Sequence, residues 1–463
     1  MPSSINLNSA TIWNFASQGV RQVLKLGSNL LLTRLLTPEM FGIAAIGNAL
    51  INGINLLSDF GIKPHVIQSK REDAAYFQTA WTIQLLRGLL LTVVIVLLAK
   101  PLSELYSNDS LYIFLLLLAI SNIAMGFNNI EIYHDFRYAR LKKFVIVDLT
   151  SAVIGLACMV AWAWVYPSHI ALAIGAVVST STFMIGTLII YPRHNCRFRL
   201  DKSAVSDLVS FGGWVLVSTT LIFAIKNIDR LALGKLITLD ILGFYSIALM
   251  WASMPLTIIN QWANRVLYPL LSMHVKENSG EKVLLSVHRI YVLFATITVI
   301  IIYAISDLLI ENLYTPEYGQ VALFLQQLLG VFMLYSIEQS YSLILLAHGR
   351  PKDKIAGQVA GLILYGLALL PAFYWSGVTG VILLMGAVIS LQIFWSAYKA
   401  FGFSLYVFGF DILMVALFFL VAQALHALVM MNAELWYQLL TSAVIAISGL
   451  FVMLTGYNRL KGC

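Results

Sequence analysis

Residues 31–46 of the chain read "LLTRLLTPEMFGIAAI", and residues 232–247 read "ALGKLITLDILGFYSI". The two stretches align without a gap at an offset of 201 residues, which places Gly42 opposite Gly243. Each one passes from the end of an apolar run, through a short polar turn, into the next apolar run. A weaker similarity at an offset of 207 residues relates "NIEIY" at 129–133 to "SIEQS" at 336–340. Two internal similarities at nearly the same offset favour an internal duplication.

The composition indicates a membrane protein. Of the 463 residues, 60% are hydrophobic and 11% are charged, and the mean hydropathy is +0.84. Soluble domains carry about 25% charged residues, so this chain has too little polar surface to face water, and a bilayer is its natural solvent. The three cysteines lack metal-ligand spacing, and the first residues lack the basic start of a cleaved signal peptide. We therefore expect no cofactor and no metal ion.

Apolar runs long enough to cross a bilayer recur along the chain. A helix needs about 20 residues to span the hydrocarbon core, and these runs are too long for strands and do not alternate. Because a bilayer offers the backbone no water, helices are the expected structure. The predicted fold class is all-α, a polytopic membrane protein with about 14 transmembrane helices. The predicted spans are 9–36, 39–63, 74–100, 110–134, 145–166, 169–191, 207–237, 240–272, 283–310, 320–348, 353–375, 377–401, 408–429 and 434–457.

The basic residues predict the orientation. If both termini are cytoplasmic and the spans alternate, 19 lysines and arginines fall in cytoplasmic connections, and only Arg34, Lys100 and Lys235 fall on the opposite side. This bias is the positive-inside pattern. It also argues against nucleic acid as a partner, because the cations are spread over seven loops and not gathered in one groove. Anionic lipid headgroups are sufficient partners for them.

The duplication predicts how the spans are grouped. Spans 1 and 2 correspond to spans 7 and 8, and an offset of six spans gives both halves the same orientation, so they are parallel repeats. The predicted domains are an N-terminal six-helix lobe over residues 1–206, a C-terminal six-helix lobe over 207–401, and two additional transmembrane helices over 402–463.

Several predicted spans carry charged side chains in their interior. An arginine, lysine or aspartate at the centre of a lipid-facing helix costs about 2.5–3.5 kcal/mol, so these side chains must face protein or water. Arg21 and Lys25 lie deepest, with no acid in the same helix, whereas Arg289 lies near a helix end and is interpreted as snorkelling. Amides on the same helix faces favour a wet lumen. The predicted substrate-binding residues are Arg21, Lys25, Arg87, Lys226, Arg230, Arg265, Asn52 and Asn260.

A lumen lined by these cations attracts an anion. Arginine holds phosphate through a bidentate fork, and lysine holds it as a point charge. The residues therefore imply an anionic or phosphate-bearing substrate that crosses the membrane. Two alternatives stay open: Asp229 can neutralise Lys226 or Arg230 one turn away, and Arg265 can snorkel to its helix end.

Two stretches of the chain resemble the Wzx-type polysaccharide-biosynthesis flippases, a family related to the multidrug (MATE) exporters and the lipid II flippase. The opening stretch is similar to that family's pattern R-x-L-x-P-x-x-F/Y-G at the end of span 1, and "NIDRLALGKLITLDILGFYSIA" is similar to its span-7 pattern, an aspartate followed by L-G-x-Y. The resemblance covers nearly the whole chain and is closest to the branch with colanic-acid and teichuronic-acid exporters. The matching residues are Arg34, Leu36, Pro38, Phe41 and Gly42, and then Asp229, Leu242, Gly243 and Tyr245.

The resemblance implies a function. A member of this family would turn an undecaprenyl-diphosphate-linked oligosaccharide repeat unit from the cytoplasmic to the outer leaflet of a bacterial inner membrane, by alternating access. The product would be O-antigen, exopolysaccharide or capsule. Expected partners are this lipid-linked oligosaccharide, membrane lipids, H⁺ or Na⁺ as a driving ion, and polysaccharide polymerase or assembly proteins. The predicted ion-coupling residues are Asp59, Asp229, Glu131 and Glu338.

Three alternatives need different chemistry. A lipid II flippase shares the anionic headgroup and stays open. A MATE-like drug/ion antiporter would favour cations, which this lumen repels. A membrane glycosyltransferase or O-antigen polymerase needs a large exposed loop or an acid cluster, and the longest connection, 192–206, is about fifteen residues. The sequence has no recognisable nucleophile–base motif and its histidines are interpreted as solvated or interfacial, so we predict a transporter and not an enzyme.

Overall fold

The computed structural model confirms the all-α, polytopic class. It describes residues 7–69, 71–138, 140–192, 196–263, 267–268, 271, 280–402 and 405–431, without the side chains of some helical positions. Every regular element within these ranges is a helix. Ten helices among the described residues are long and apolar enough to cross a membrane.

The first ten helices follow the first eight predicted spans and add two short helices, α3 and α6. Helices α1 and α9 are as long as the other spans but less apolar. The bounds are α1 Leu7–Leu32, α2 Pro38–Leu57, α3 Ile62–Gln68, α4 Ala74–Leu105, α5 Asp109–Phe127, α6 Glu131–Arg137, α7 Lys142–Val165, α8 Ile170–Ile190, α9 Lys202–Leu236 and α10 Leu239–Trp262.

Two predicted spans run past the ends of their helices. After α2 the chain turns at Gly61, whose φ of 65° is favourable only for glycine, and the Asp59 carboxylate accepts the Gly61 amide hydrogen at 2.9 Å. After α5 the Asn129 side chain accepts the Glu131 amide hydrogen at 3.0 Å. Asp59 therefore lies in the turn before α3, and Glu131 is the first residue of α6, so their predicted places inside spans 2 and 4 are wrong. Hydrophobicity alone does not reveal such turns.

The remaining helices include a bent one. Ser376 and Gly377 have non-helical backbone angles, with Gly377 at φ 60°, so they divide α14 at the boundary predicted between spans 353–375 and 377–401. The predicted span 434–457 lies outside the described residues. The bounds are α11 Gly280–Ala304, α12 Ser306–Leu313, a 3₁₀ turn at Pro316–Tyr318, α13 Gln320–Ala347, α14 Pro351–Phe401 and α15 Leu405–Met431.

The chain divides into two compact units. The first unit contains residues 1–250, 314–321 and 358–381, and the second contains 251–313, 322–357 and 382–463. Helices α10, α13 and α14 contribute residues to both units. The grouping into the lobes 1–206 and 207–401 remains a prediction.

Large apolar side chains on the helix surfaces identify the lipid-facing sides. Leu97 is 70% exposed, Leu367 75% and Leu420 70%. Many other large apolar side chains are exposed as well, which fits a surface that contacts lipid. Trp164 and Tyr166, also exposed, lie close together at the end of α7, where aromatic rings are typical of a membrane–water interface.

The two copies of the repeated stretch pack against each other inside the first unit. A Cβ atom added to Gly42 would lie under 3.0 Å from the carbonyl oxygen of Leu239, and one added to Gly243 would lie under 3.0 Å from that of Pro38. Pro38 and Leu239 are equivalent positions of the repeat, so the contact is reciprocal. Both positions require glycine because backbone atoms, which cannot rotate away, occupy the space. We call this the glycine contact.

Tyr318 joins both copies beside the glycine contact. Its hydroxyl donates to the carbonyl oxygen of Leu36 at 2.7 Å. Its ring meets Phe41 of α2 edge-on at 6.3 Å and Phe244 of α10 at 6.0 Å between centroids. The N-terminal ends of α2 and α10 are therefore held together by both backbone packing and aromatic packing.

Replacing either glycine should destabilise the protein. Gly42→Ala and Gly243→Ala should each lower the free energy of unfolding by about 1–3 kcal/mol, because the new methyl group overpacks a backbone contact. Gly27→Ala is the matched control, since a Cβ at Gly27 meets nothing within 4 Å. Thermal unfolding of the detergent-purified variants measures the effect. Melting temperatures equal to that of Gly27→Ala would contradict the packing.

Candidate substrate site

Arg21 of α1 is paired with an acid from another helix. Its Nε donates to Asp148 Oδ2 of α7 at 2.6 Å, and its Nη2 donates to the other carboxylate oxygen. The Asp148 side chain is 8% exposed, whereas that of Arg21 is 46% exposed. Arg21 is therefore an ion-paired residue that joins α1 to α7, and its role in substrate binding remains a prediction.

Lys25 and Arg230 bring two positive charges together within the first unit. Lys25 is exposed one turn after Arg21 on α1, and it lies within electrostatic range of Arg230 on α9. The Nε atom of Arg230 is buried, and it has no hydrogen-bond partner among the described residues. No ion pair links either side chain to a carboxylate in the described part of the chain. Like charges repel at this range, so an anion between them would stabilise the arrangement.

Arg87 of α4 is bound to the end of α2. Its Nη2 donates to the Asn55 carbonyl oxygen at 2.6 Å, and its Nε donates to the Ser58 hydroxyl at 3.1 Å. The carbonyl end of a helix carries partial negative charge and favours a cation. The structure thus gives Arg87 a capping role, and substrate binding by Arg87 remains a prediction.

The other predicted substrate residues are not brought to this place by the described contacts. Asn52 is exposed on α2. Asn260 of α10 belongs to the second unit, where its side-chain oxygen accepts the Tyr291 hydroxyl hydrogen at 2.6 Å. The side chain of Lys226 and the whole of Arg265 lie outside the described residues.

Asp229 of α9 is a buried carboxylate that is only half satisfied. It is 4% exposed, and its Oδ2 accepts the Tyr245 hydroxyl hydrogen at 2.5 Å. Its Oδ1 is buried and has no hydrogen-bond partner among the described residues. The Tyr365 hydroxyl of α14 also lacks a described partner, and it lies within electrostatic range of the Asp229 carboxylate. A buried oxygen without a donor is costly. A proton or a small cation at Oδ1 would satisfy it.

The other three predicted ion-coupling residues have local partners. Asp59 closes the turn after α2. Glu131 of α6 lies 3.9 Å from the His134 imidazole. Glu338 of α13 is 3% exposed and accepts the Ser342 hydroxyl hydrogen at 2.6 Å. Each has a structural role, and ion coupling by them remains a prediction.

Part of the loop charge is used in ion pairs inside the first unit. Arg71 lies 2.9 Å from the carboxylates of both Asp73 and Asp207, which connects the start of α4 to the start of α9. The hydrogen bond from Arg71 lowers the pKa of the Asp73 carboxyl. Arg137 donates to the carbonyl oxygen of Arg71 at 3.1 Å. These cations therefore stabilise the loops and are not all free to bind lipid.

Known proteins resemble this chain in sequence. Residues 31–323 match the polysaccharide biosynthesis protein family. The chain belongs to this family. It is 23% identical over 394 residues to the lipopolysaccharide biosynthesis protein WzxC of Escherichia coli (strain K12), covering 78% of this chain and 77% of WzxC. It is 23% identical over 321 residues to the teichuronic acid biosynthesis protein TuaB of Bacillus subtilis (strain 168), covering 68% of this chain and 66% of TuaB.

The predicted membership of the Wzx-type flippases, with the teichuronic-acid branch, is thereby confirmed.

The fold of this polysaccharide biosynthesis protein is similar to that of solved transporters. For the lipid II flippase MurJ in an inward closed conformation the TM-score is 0.69 at 12% identity, covering 93% of this chain and 99% of that one. For an inward-facing multidrug resistance MATE family transporter the TM-score is 0.60 at 12% identity, covering 87% of this chain and 94% of that one. The chain is a multi-pass membrane protein, a flippase-type transporter of polysaccharide biosynthesis.

The interpretation of His288 as solvated or interfacial is wrong. In this polysaccharide biosynthesis protein it is 1% exposed, and its two ring nitrogens face the Ser340 hydroxyl at 3.1 Å and the Asp411 carboxylate at 2.9 Å. Serine, histidine and aspartate also form hydrolase triads, but these three are buried and cannot contact a substrate. In each of these two pairs the acid is a single aspartate within an otherwise apolar run, and this was the signal in the sequence. Asp411 in α15 is the partner of His288, and Asp148 in α7 is the partner of Arg21.

The Arg21–Asp148 pair should separate structural from substrate-binding effects. Asp148→Asn should lower the free energy of unfolding by about 1–2 kcal/mol, less than for a fully buried pair, because Arg21 is half exposed. Adding Arg21→Gln should recover part of this loss. Lys25→Gln is the matched control, because it removes no ion pair among the described residues, and it should not lower the melting temperature. If Arg21→Gln abolishes export but keeps full stability, the pair is not structural.

Proposed function

We propose that this protein moves an undecaprenyl-diphosphate-linked oligosaccharide from the cytoplasmic to the outer leaflet of a bacterial inner membrane. The observation that carries the proposal is the pair Lys25 and Arg230, two neighbouring cations with no carboxylate partner among the described residues. Membership of the polysaccharide biosynthesis family supports a glycan as cargo. The bias of basic residues supports cytoplasmic termini.

A diphosphate fits this pair by charge and by hydrogen bonding. The guanidinium of Arg230 presents a buried N–H that lacks an acceptor among the described residues, and the Lys25 ammonium supplies a point charge. Inside a membrane protein such charges are less screened than in water. Diphosphate bound between them would relieve their repulsion, while the prenyl chain remains beside the exposed apolar helix surfaces.

Ion coupling is assigned to Asp229 as the first candidate. Its Oδ1, without a partner in the described part of the chain, would gain one from H⁺ or Na⁺. Asp229 precedes Arg230 on α9, so an ion bound at the carboxylate changes the charge next to the diphosphate site. Release of the glycan and binding of the ion would then be linked through one helix.

Alternating access requires a contact that opens. In the predicted orientation the glycine contact lies on the outer side of the membrane, opposite the basic loops. Its separation would open the first unit toward the outside, and its closure would seal that side. Because the contact is made of backbone atoms, it is either formed or broken, as a two-state gate requires.

The alternatives are weaker. A lipid II flippase would use the same headgroup chemistry, and glycan analysis distinguishes the two. A drug/ion antiporter would bind cations, which Lys25 and Arg230 repel. Polymerases and other assembly proteins are proposed only as partners.

Deletion of the gene and analysis of the lipid-linked glycans tests the proposal. We expect one undecaprenyl-diphosphate oligosaccharide to accumulate on the cytoplasmic leaflet, where an impermeant glycosidase added to inverted vesicles can reach it. Complementation with Lys25→Gln or Arg230→Gln should restore export to at most about one tenth of the wild-type level. This is about the effect of losing one charge-assisted hydrogen bond.

Lys100→Gln is the matched control, because Lys100 is an exposed lysine on α4 that pairs only at the surface with Glu104 at 3.7 Å and with Asp109 at 3.8 Å in the described part of the chain. It should restore export fully. Accumulation of lipid II would favour the lipid II flippase. Normal export by Lys25→Gln and Arg230→Gln, expressed at wild-type amounts, would contradict the proposed site.

A further inference from the structure

Three helices of the second unit meet at a buried cluster of four polar side chains. His288 of α11, Ser340 and Tyr341 of α13, and Asp411 of α15 are between 0% and 5% exposed. His288 Nε2 lies 2.9 Å from Asp411 Oδ1, and His288 Nδ1 lies 3.1 Å from the Ser340 hydroxyl. The Tyr341 hydroxyl donates to Asp411 Oδ2, and its ring stacks on the imidazole at 4.5 Å between centroids.

The hydrogen bonds of this cluster can adapt to one proton. A neutral imidazole donates through Nε2 to Asp411 and accepts through Nδ1 from the Ser340 hydroxyl, whereas a charged imidazole donates through both nitrogens. The Ser340 hydroxyl can serve as donor or acceptor, so either state keeps both contacts. The Tyr341 bond is the same in both states. A proton therefore changes the charge of the cluster without breaking a hydrogen bond.

We propose that His288 and Asp411 form a proton-binding site, which we call the proton site, and that its occupancy controls the packing of α15. With the proton the pair is electrically neutral overall. Without it, one carboxylate charge is buried among three helices, and a buried charge without a counter-charge is strongly unfavourable. Loss of the proton should therefore weaken the packing of α15 on α11 and α13.

Other charged groups near the proton site are held elsewhere. On α11, Arg289 lies over the ring of Phe410 at 5.4 Å. On α13, Glu338 is 3% exposed and accepts a hydrogen bond from the Ser342 hydroxyl of its own helix. On α14, Lys399 lies 3.8 Å from Asp353. None of these groups forms an ion pair with the Asp411 carboxylate among the described residues, so the counter-charge falls to His288.

A second polar contact fastens the other end of α15. His426 pairs with Asp307 of α12, and Gln326 of α13 donates to that carboxylate at 3.0 Å. His426 follows Asp411 by about 22 Å along the helix. Lipid is as apolar as the helix surfaces, so helix association in a membrane depends on packing and polar contacts. Deprotonation of the proton site should loosen the Asp411 end of α15, while the His426 end stays attached.

Distance measurements between spin labels test this inference and do not depend on the transported substrate. In the full chain with its cysteines replaced by serine, labels are placed at Ile290 of α11 and Leu413 of α15, both exposed and close in sequence to the proton site. We expect one narrow distance distribution at pH 6 and a shift to longer, broader distances at pH 9. His288→Gln/Asp411→Asn cannot exchange the proton, so its distances should be the same at both pH values.

A second label pair at Leu323 and Met430, near the His426 contact, is the control. Its response to pH should be the same with and without the double substitution. If the double variant does not fold, the exchanged variant His288→Asp/Asp411→His retains the pair and should respond like the wild type. Distances near the proton site that do not change with pH in the wild type, or that change equally in the double variant, would overturn the proposal.

Discussion

A charge on a membrane-spanning helix must find an opposite charge, a polar group or water, because lipid offers none of these. The described cations of the first unit satisfy this constraint in different ways. Arg21 reaches Asp148 on another helix, and Arg87 reaches the carbonyl end of α2. Lys25 and Arg230 instead lie within electrostatic range of each other, and neither forms an ion pair with a described carboxylate. The proposed site for the diphosphate is therefore a place inside the helices where two positive charges act on each other without an ion pair among the described residues.

The repeated stretch gives the first unit its other defining contact. Gly42 and Gly243 let the N-terminal ends of α2 and α10 approach until backbone meets backbone. A duplicated sequence that packs on itself makes a reciprocal contact, and this explains why both copies keep the glycine. Small residues are the usual means by which membrane helices come close. The cations lie on α1 and α9, and the contact lies on the helices that follow them directly in the chain, α2 and α10.

The sequence predicted those features that depend on neighbouring residues. Runs of apolar residues indicated the helices, and the break at Ser376 and Gly377 was placed correctly because both flanking runs could be seen. Turns after α2 and α5 were missed, since a single glycine or asparagine ends a helix without changing the hydropathy. The partner of Arg21 was also missed, because Asp148 is 127 residues away in the chain. Candidate cations could thus be named from the sequence, but which of them lack a described partner could only be read from the packing.

Binding of undecaprenyl diphosphate to the purified protein tests the central claim most directly. Native mass spectrometry can compare the wild type with Lys25→Gln/Arg230→Gln and with the surface control Lys100→Gln. We predict that the double substitution weakens binding by about a hundredfold, since each lost charge-assisted contact is worth about tenfold, and that the control binds like the wild type. Equal affinity of all three proteins would contradict the claim that the uncompensated cations hold the diphosphate.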